Sequence, residues 1–469
     1  MNGLLLAVFR HRLYPRLIQA AGLLIYLGLI WFALGVFTPQ GMPPKAFAQK
    51  HIVTLLLWGG WLPLTILATV FLGRIWCSIC PLELVNRLGD RLGRTVFGKR
   101  ASLPAALRGG MVSALLYSGL LVVTVSSKFI AVPHNAAVLL SLLLLAALAT
   151  GFAFGGRAFC TAICPASMLF RLFGRRGMLA LRVEAAKAPP AGDARASSAR
   201  GRCPANLDPA RLGDSSPCTL CAQCLKTGNG QDVRLTRAMP STPDDNWEDY
   251  GWAATVFAFF FTGFALNELF QNWNTGGRHY WRIPSEFAGL FGIDPASGMV
   301  AALWSMLFVP AALWLLIGLA GRLSGVGASV KEVWKRLTLP LVSALVASQV
   351  VRAVTKSSQW LAGLPGAFEA WTGRLASTPW PFPSIAAAST TGGMGKAQGL
   401  AQGAQGKGMA LGLLSQPVLL VVTLAVAVLF LWFAYCEAKA LRRHGRGVAA
   451  LSLVLSVLFL GLLVLSRLV

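Results

Sequence analysis

Gly73-Arg74-Ile75-Trp76-Cys77-Ser78-Ile79-Cys80-Pro81 and Gly156-Arg157-Ala158-Phe159-Cys160-Thr161-Ala162-Ile163-Cys164-Pro165 are the two stretches on which the reading of this chain turns. Each closes an apolar run, reads Gly-Arg-apolar-aromatic-Cys and then Ile-Cys-Pro, and leads into a basic amphipathic segment. The echo implies a duplicated two-span hairpin whose cysteines emerge on one face. Cysteines four positions apart share a helix face, and a Pro directly after the second marks where that helix stops.

Outward from these motifs the chain is strongly apolar. Of 469 residues 55% are hydrophobic and 13% charged, with a mean hydropathy of +0.62. A soluble domain carries about a quarter charged residues, so long apolar runs point to an all-α polytopic membrane protein. Nine transmembrane helices are expected, at 17–38, 52–75, 106–126, 136–156, 250–272, 298–320, 337–353, 416–436 and 448–467. The span at 337–353 is the weakest, being short and holding Pro340, Ser343, Ser348 and Gln349.

A net charge of +25 would suit nucleic acid, but the basic residues sit in short loops between spans. With the N-terminus inside, 31 of the 42 Lys and Arg fall in inside segments and 11 outside, as the positive-inside rule requires. The expected partner is the lipid bilayer and not nucleic acid. The expected place is the bacterial inner (cytoplasmic) membrane, with a cytoplasmic N-terminus and a periplasmic C-terminus. Arg10, His11, Arg12 and Arg16 precede the first span with no small-residue cleavage site behind it, so no cleaved leader is expected.

Three regions follow. Residues 1–164 form a four-helix membrane domain with the two Cys-Pro motifs. Residues 165–249 form a small cytoplasmic insert, with a Pro/Ala/Gly/Ser-rich linker at 187–202 and an acidic end at Asp244, Asp245, Glu248 and Asp249. It is too poor in apolar residues for a large core, so something other than hydrophobic burial should staple it. Residues 250–469 form a membrane domain of five helices. Its periplasmic loop at 354–415 is Gly/Ala/Gln-rich from Ala386 to Gly412, and Trp360, Trp371 and Trp380 are expected along the membrane surface.

The insert carries Cys218-Thr219-Leu220-Cys221-Ala222-Gln223-Cys224. Three cysteines at this spacing wrap a loop tightly enough to hold three corners of one [4Fe–4S] cubane, the core of a ferredoxin-like site. A Cys-Pro normally completes the fourth corner, and Lys226-Thr227-Gly228 follows instead. Cys203-Pro204 is the nearest replacement, with Cys80 or Cys164 as alternatives. Structural zinc is the competing reading, although it favours two separated pairs. Cys77, Cys80, Cys160 and Cys164 suit a second cluster, with free or redox-active thiols, or ordinary buried cysteines, as the alternatives. Eight such cysteines match two cubanes. Cys436, the ninth, lies in an apolar helix end and is expected to be structurally buried.

Other candidates carry less. His51 and His134 fall near span ends, yet no spacing marks a bis-His pair, so b haem is not expected. His279, in Gly276-Gly277-Arg278-His279-Tyr280-Trp281, reads as an aromatic-basic loop able to meet a periplasmic partner or a quinone head group. Asn267, Glu268 and Gln349 are polar groups at the hydrocarbon edge. They read as interhelical hydrogen-bonding groups first and quinone or proton-path groups second.

At its cysteine motifs the chain resembles the NapH/NosR group of membrane-bound ferredoxin-type proteins, over about residues 15–235. The resemblance implies four N-terminal transmembrane helices, cytoplasmic clusters, and electron transfer linked to the quinone pool and a periplasmic reductase or its maturation system. Carried over, the membrane-edge motifs map to Cys77, Cys80, Pro81 and to Cys160, Cys164, Pro165, and the ferredoxin ligands to Cys218, Cys221 and Cys224. The first motif is one residue shorter than the family's Cys-x3-Cys-Pro, and residues 250–469 match nothing in the group. The expected function is therefore a membrane-bound iron–sulfur electron-transfer protein, possible as a quinol dehydrogenase subunit, acting with quinone and a periplasmic or membrane redox partner. The alternative is a redox-sensing membrane transporter or regulator.

Overall fold

A computed structural model of the chain describes residues 3–39, 41–98, 101, 103–104, 107, 109–177, 179–183, 203, 218–226, 233–237, 251–295, 297–377, 414–442 and 445–468. In chain order its principal helices are α1 (Arg16–Ala33), α2 (Ile52–Leu72), α3 (Pro81–Phe97), α4 (Met111–Ser127), α5 (Pro133–Ala153) and α6 (Ala166–Phe173). There follow α7 (Gly251–Gln271), α8 (Asn274–Leu290), α9 (Gly298–Leu323), α10 (Val330–Leu361), α11 (Leu364–Ser377), α12 (Gln416–Leu441) and α13 (Arg446–Leu468). Among the described residues, the eight helices other than α3, α4, α6, α8 and α11 are long and apolar enough to cross a membrane. α4 is apolar too, at 17 residues. Large apolar side chains such as Leu24, Leu145, Leu316, Val421 and Leu458 face outward, a surface suited to lipid rather than water.

The largest correction concerns the weakest expected span. Instead of a short helix at 337–353, α10 runs 32 residues and 83% of its apolar window is buried inside the protein. It packs against α2, α7, α9, α12 and α13. Ser343, Ser348 and Gln349 lower its hydropathy, and they are buried among neighbouring helices rather than lipid. Polar groups are tolerated at that depth where protein satisfies them. Pro63 illustrates the same point in α2. It has no N–H for the carbonyl of Gly59 one turn earlier, and the Ser357 hydroxyl of α10 donates to that oxygen at 2.7 Å.

One core joins the regions on either side of the insert. Ile66, Val70, Ala114 and Leu121 share it with Phe257, Phe261, Val346, Val350 and Phe430. A second core holds α1, α3 and α5 together around Tyr26, Leu82, Val85, Leu140 and Phe159. There α3 and α5 cross backbone to backbone: a Cβ on Gly151 would lie 2.1 Å from the Asn86 carbonyl oxygen.

Within the insert, β1 (Leu179–Val183) pairs antiparallel with β2 (Val233–Arg237), Leu179 opposite Arg237 and Val183 opposite Val233. This strand pair, which the sequence reading did not anticipate, clamps the base of the cysteine loop. The linker at 187–202, the acidic end at 244–249, the stretch 386–412 and Trp380 lie outside the described residues. The loop expected from residue 354 is instead largely helical as far as Ser377, because α10 continues to Leu361 and α11 follows. Trp360 is buried rather than on the surface, while the Trp371 ring meets Phe32 edge-on at 5.4 Å. His279 sits exposed on helix α8, not in a loop.

Candidate metal centre

The sequence echo is also a structural echo. Gly73 and Gly156 both break the chain with left-handed backbone, φ +77° and +75°, a conformation that only glycine adopts without strain. The next residues, Arg74 and Arg157, turn inward and are 3% and 2% exposed. Cys80 and Cys164 both have extended backbone, with ψ 130° and 119°, as a residue preceding Pro must. The motifs differ by one residue, and the backbone absorbs it. Ile75–Ile79 is an α-turn, whereas Phe159–Ile163 is a π-turn closed by the Cys164 N–H on the Phe159 carbonyl at 2.8 Å. A one-residue widening of this kind is the usual form of a π-bulge.

Each Cys-Pro also begins a helix, α3 or α6. The Cys80 sulfur accepts from the backbone of Leu82 and Glu83, and Cys164 from Ala166 and Ser167. Helix N-termini favour negative charge, so both sulfurs are placed to become thiolates once a metal supplies countercharge. Without metal, burial dominates: it pushes Cys164 up to about 12 and holds Cys80 and Cys160 well above a free thiol. Cys80 lies within electrostatic reach of Cys164 and Cys77, Cys160 of Cys80 and Cys164, and Cys164 of Cys77. The two motifs thus bring four cysteines to one place at the ends of α2 and α5.

The insert supplies a second quartet. Cys218 lies within reach of Cys221 and Cys203, and Cys224 of Cys218, Cys221 and Cys203. Burial pushes both Cys218 and Cys224 up to about 12. Leu220 and Ala222, flanking Cys221, are fully buried with φ +51° and +57°. Non-glycine residues rarely adopt this backbone, and it turns successive N–H groups toward one concavity, an arrangement that recurs at iron–sulfur sites. The Leu220 N–H donates to Cys218 Sγ at 3.4 Å. Phe9, Tyr14, Leu179 and Leu220 shelter the loop, and Lys226 ties it to the turn before α1 by donating to the Tyr14 carbonyl.

Between the quartets stand the two arginines. Arg74 is within reach of Cys164 on one side and Cys218 on the other, and it donates to the Cys160 carbonyl at 3.5 Å. Arg157 is within reach of Cys160, Cys203 and Cys221 and donates to the Thr219 hydroxyl. Burial works against its charge, but Cys221, Glu83, Cys160 and Cys203 outweigh it and hold the guanidinium above its ordinary pKa. Glu83, fully buried, pairs with Arg157 at 2.8 Å and Arg87 at 2.5 Å and accepts from Gln19. Gln19 also donates to the Ser78 carbonyl at 2.7 Å. The sequence reading missed Glu83, whose one signal is a carboxylate two residues after the Pro of Cys80-Pro81.

Among the described residues no group of three or more His, Cys, Asp or Glu closes around a single ion. Thiolates at the corners of a cubane stand apart by the width of the cluster, so the donor chemistry, the amide-lined loop and the helix N-termini fit [4Fe–4S] clusters. Cys436 is half-buried on α12. His134 accepts from the Gly35 N–H at 3.0 Å through Nδ1, and His51 packs on Phe47. Asn267, Glu268 and Gln349 converge on one cavity with Arg352, at the opposite end of α7 and α10.

A family model described as 4Fe-4S binding domain matches the chain twice, over residues 54–100 and 136–182. The repeated match supports [4Fe–4S] clusters. It spans both Gly-Arg-x-x-Cys motifs and ends before the Cys218 loop, which rests on its own spacing and geometry. With the apolar helices, it makes this a membrane-associated iron–sulfur protein. No curated protein and no solved structure matches the chain.

Proposed function

We propose that this is a NapH/NosR-like electron-transfer protein of the bacterial inner membrane, working between the quinone pool or a cytoplasmic donor and a respiratory reductase or its maturation system. Cys77, Cys80, Cys160 and Cys164 hold one [4Fe–4S] cluster and Cys203, Cys218, Cys221 and Cys224 the other. A [4Fe–4S] cluster supplies one-electron transfer when bound. The chain's own residues set the conditions. Helix N-termini and the left-handed loop present N–H groups to the sulfurs, apolar side chains exclude water, and Arg74 and Arg157 place fixed positive charge between the sites. The observation that carries the reading is that each of these arginines reaches cysteines of both quartets. Sites that share a charged wall serve relay better than isolated storage.

Nine spans, α4 included, with the cysteines on the cytoplasmic side complete the proposal. Protein purified without oxygen is expected to contain about eight iron and eight labile sulfide per chain and to give reduced-cluster EPR signals. Colourless, iron-free material would remove the reading. A redox-sensing transporter or regulator is the second reading, favoured by the polar cavity of α7 and α10.

A further inference from the structure

That cavity, of about 250 Å³, lies where α7, α10 and α13 end, away from the cysteines. Lys45, Lys128, Arg352, Lys356 and Arg467 line it, and among the described lining residues Glu268 is the one carboxylate. Arg352 pairs with Glu268 through Nε at 2.7 Å and donates to Gln349 at 3.3 Å. Arg467 donates to the Thr355 hydroxyl at 3.3 Å, and the Lys356 ammonium lies 4.6 Å from the Trp360 ring centre. Hydroxyl, amide and ring satisfy donors but bring no negative charge. Lys356 lies within electrostatic reach of Arg352 and Lys45, with Glu268 the one opposing charge. Like charges held this close beside apolar helices repel strongly.

Placement sharpens the point. By the topology above this is the outer side, which holds 11 Lys and Arg in all, and five of them meet here. The positive-inside rule gives no reason for such a concentration. Five basic side chains against one carboxylate leave an excess of positive charge for a ligand to balance, and Asn267, Gln349 and Thr355 add hydrogen-bonding groups to the wall.

We propose that this cavity is a binding site for a phosphate-type oxyanion, either free phosphate or the headgroup of an anionic phospholipid. One negative charge on a phospholipid headgroup, or up to two on free phosphate, offsets part of the excess, and the volume suits a headgroup-sized ligand rather than a larger organic molecule.

The full chain in nanodiscs of phosphatidylcholine is the test, with radiolabelled inorganic phosphate in excess chloride as the probe. Saturable phosphate binding assigns the soluble source. Selective retention of phosphatidylglycerol from mixed lipid, read by native mass spectrometry, assigns the headgroup. Either is expected to weaken by about tenfold or more in Arg352→Gln/Lys356→Gln, which deletes two charge-assisted contacts. Because the interior variant risks misfolding, Lys45→Gln/Lys128→Gln, at two exposed rim positions, is expected to weaken the same signal. Absence of both signals, or signals untouched by the rim variant, overturns the proposal.

Discussion

At the scale of single residues the Glu83–Arg157 pair decides most. Both side chains are almost wholly out of solvent; stranding a buried charge costs about 3–5 kcal/mol, and because Glu83 keeps Arg87 and Gln19 the loss on removing Arg157 is expected below that range. Arg157→Gln is expected to lower the melting temperature, and Glu83→Gln added to it to recover much of the loss. Additive losses would mean that the two side chains do not act as a pair. Arg157 also has an electronic consequence that a structural role alone would not produce. Reduction adds negative charge, which a nearby guanidinium favours, so Arg157→Gln alone is expected to shift the reduction midpoints of both clusters downward in an EPR-monitored titration. Metal removal adds a pH signature. Burial, the largest cause, pushes Cys164, Cys218 and Cys224 from 9.0 to about 12. The folded metal-free chain therefore holds more protons than the unfolded chain between those values. The stability these thiols confer is complete below 9 and lost as pH rises toward 12. Stripped protein should melt progressively lower across that window, while loaded protein, its sulfurs already ligated, should not. Parallel curves would argue against buried thiols as the source.

At the scale of elements, the two Cys-Pro hairpins were legible because their chemistry is local. Glycine, arginine, cysteine and proline each leave a mark at a fixed offset, and the family match falls on the same two stretches. Even the odd residue in the second motif, read as a departure in the first, resolves into a π-turn against an α-turn. The division of the cysteines was not legible, since it depends on how α2, α5 and the insert converge. The same holds for Arg157, whose partner Glu83 belongs to another hairpin. The span now seen as α10 read as the weakest because Pro340, Ser343, Ser348 and Gln349 interrupt its apolar run, and sequence alone cannot distinguish a polar face turned to protein from one turned to lipid. The α3–α5 crossing offers the test at this scale. Gly151→Val would place side-chain carbon against the Asn86 carbonyl and force apart the hairpins that carry Cys80 and Cys160. Iron content is expected to fall toward about four per chain, with the Cys218-loop signal kept. Cys218→Ser should do the reverse, removing the ferredoxin-type signal. Should both variants lose the same signal, the two quartets would not be separate sites.

At the scale of the whole molecule, the arrangement is polar in the electrical sense. Cysteines, buried arginines and the insert gather at the ends of α2 and α5, and Arg175 of the segment before β1 is locked to Glu437 of α12 at 3.3 Å with both side chains buried. The C-terminal helices therefore clasp the cysteine end of the molecule, and the orientation of that end is one decision for the entire chain. The proposed orientation keeps 31 of the 42 Lys and Arg inside, whereas the opposite one would put them on the outer side, where each opposes insertion. It would also expose thiols meant for metal to an oxidising compartment. Alkaline phosphatase fused after Gly201 is expected to be inactive and a fluorescent protein at the same junction bright, with the pattern reversed for fusions after Ala404. Since α10 must cross for these two junctions to differ, matching readouts at both would remove α10 as a span, and a fully inverted pair would place the cysteines outside.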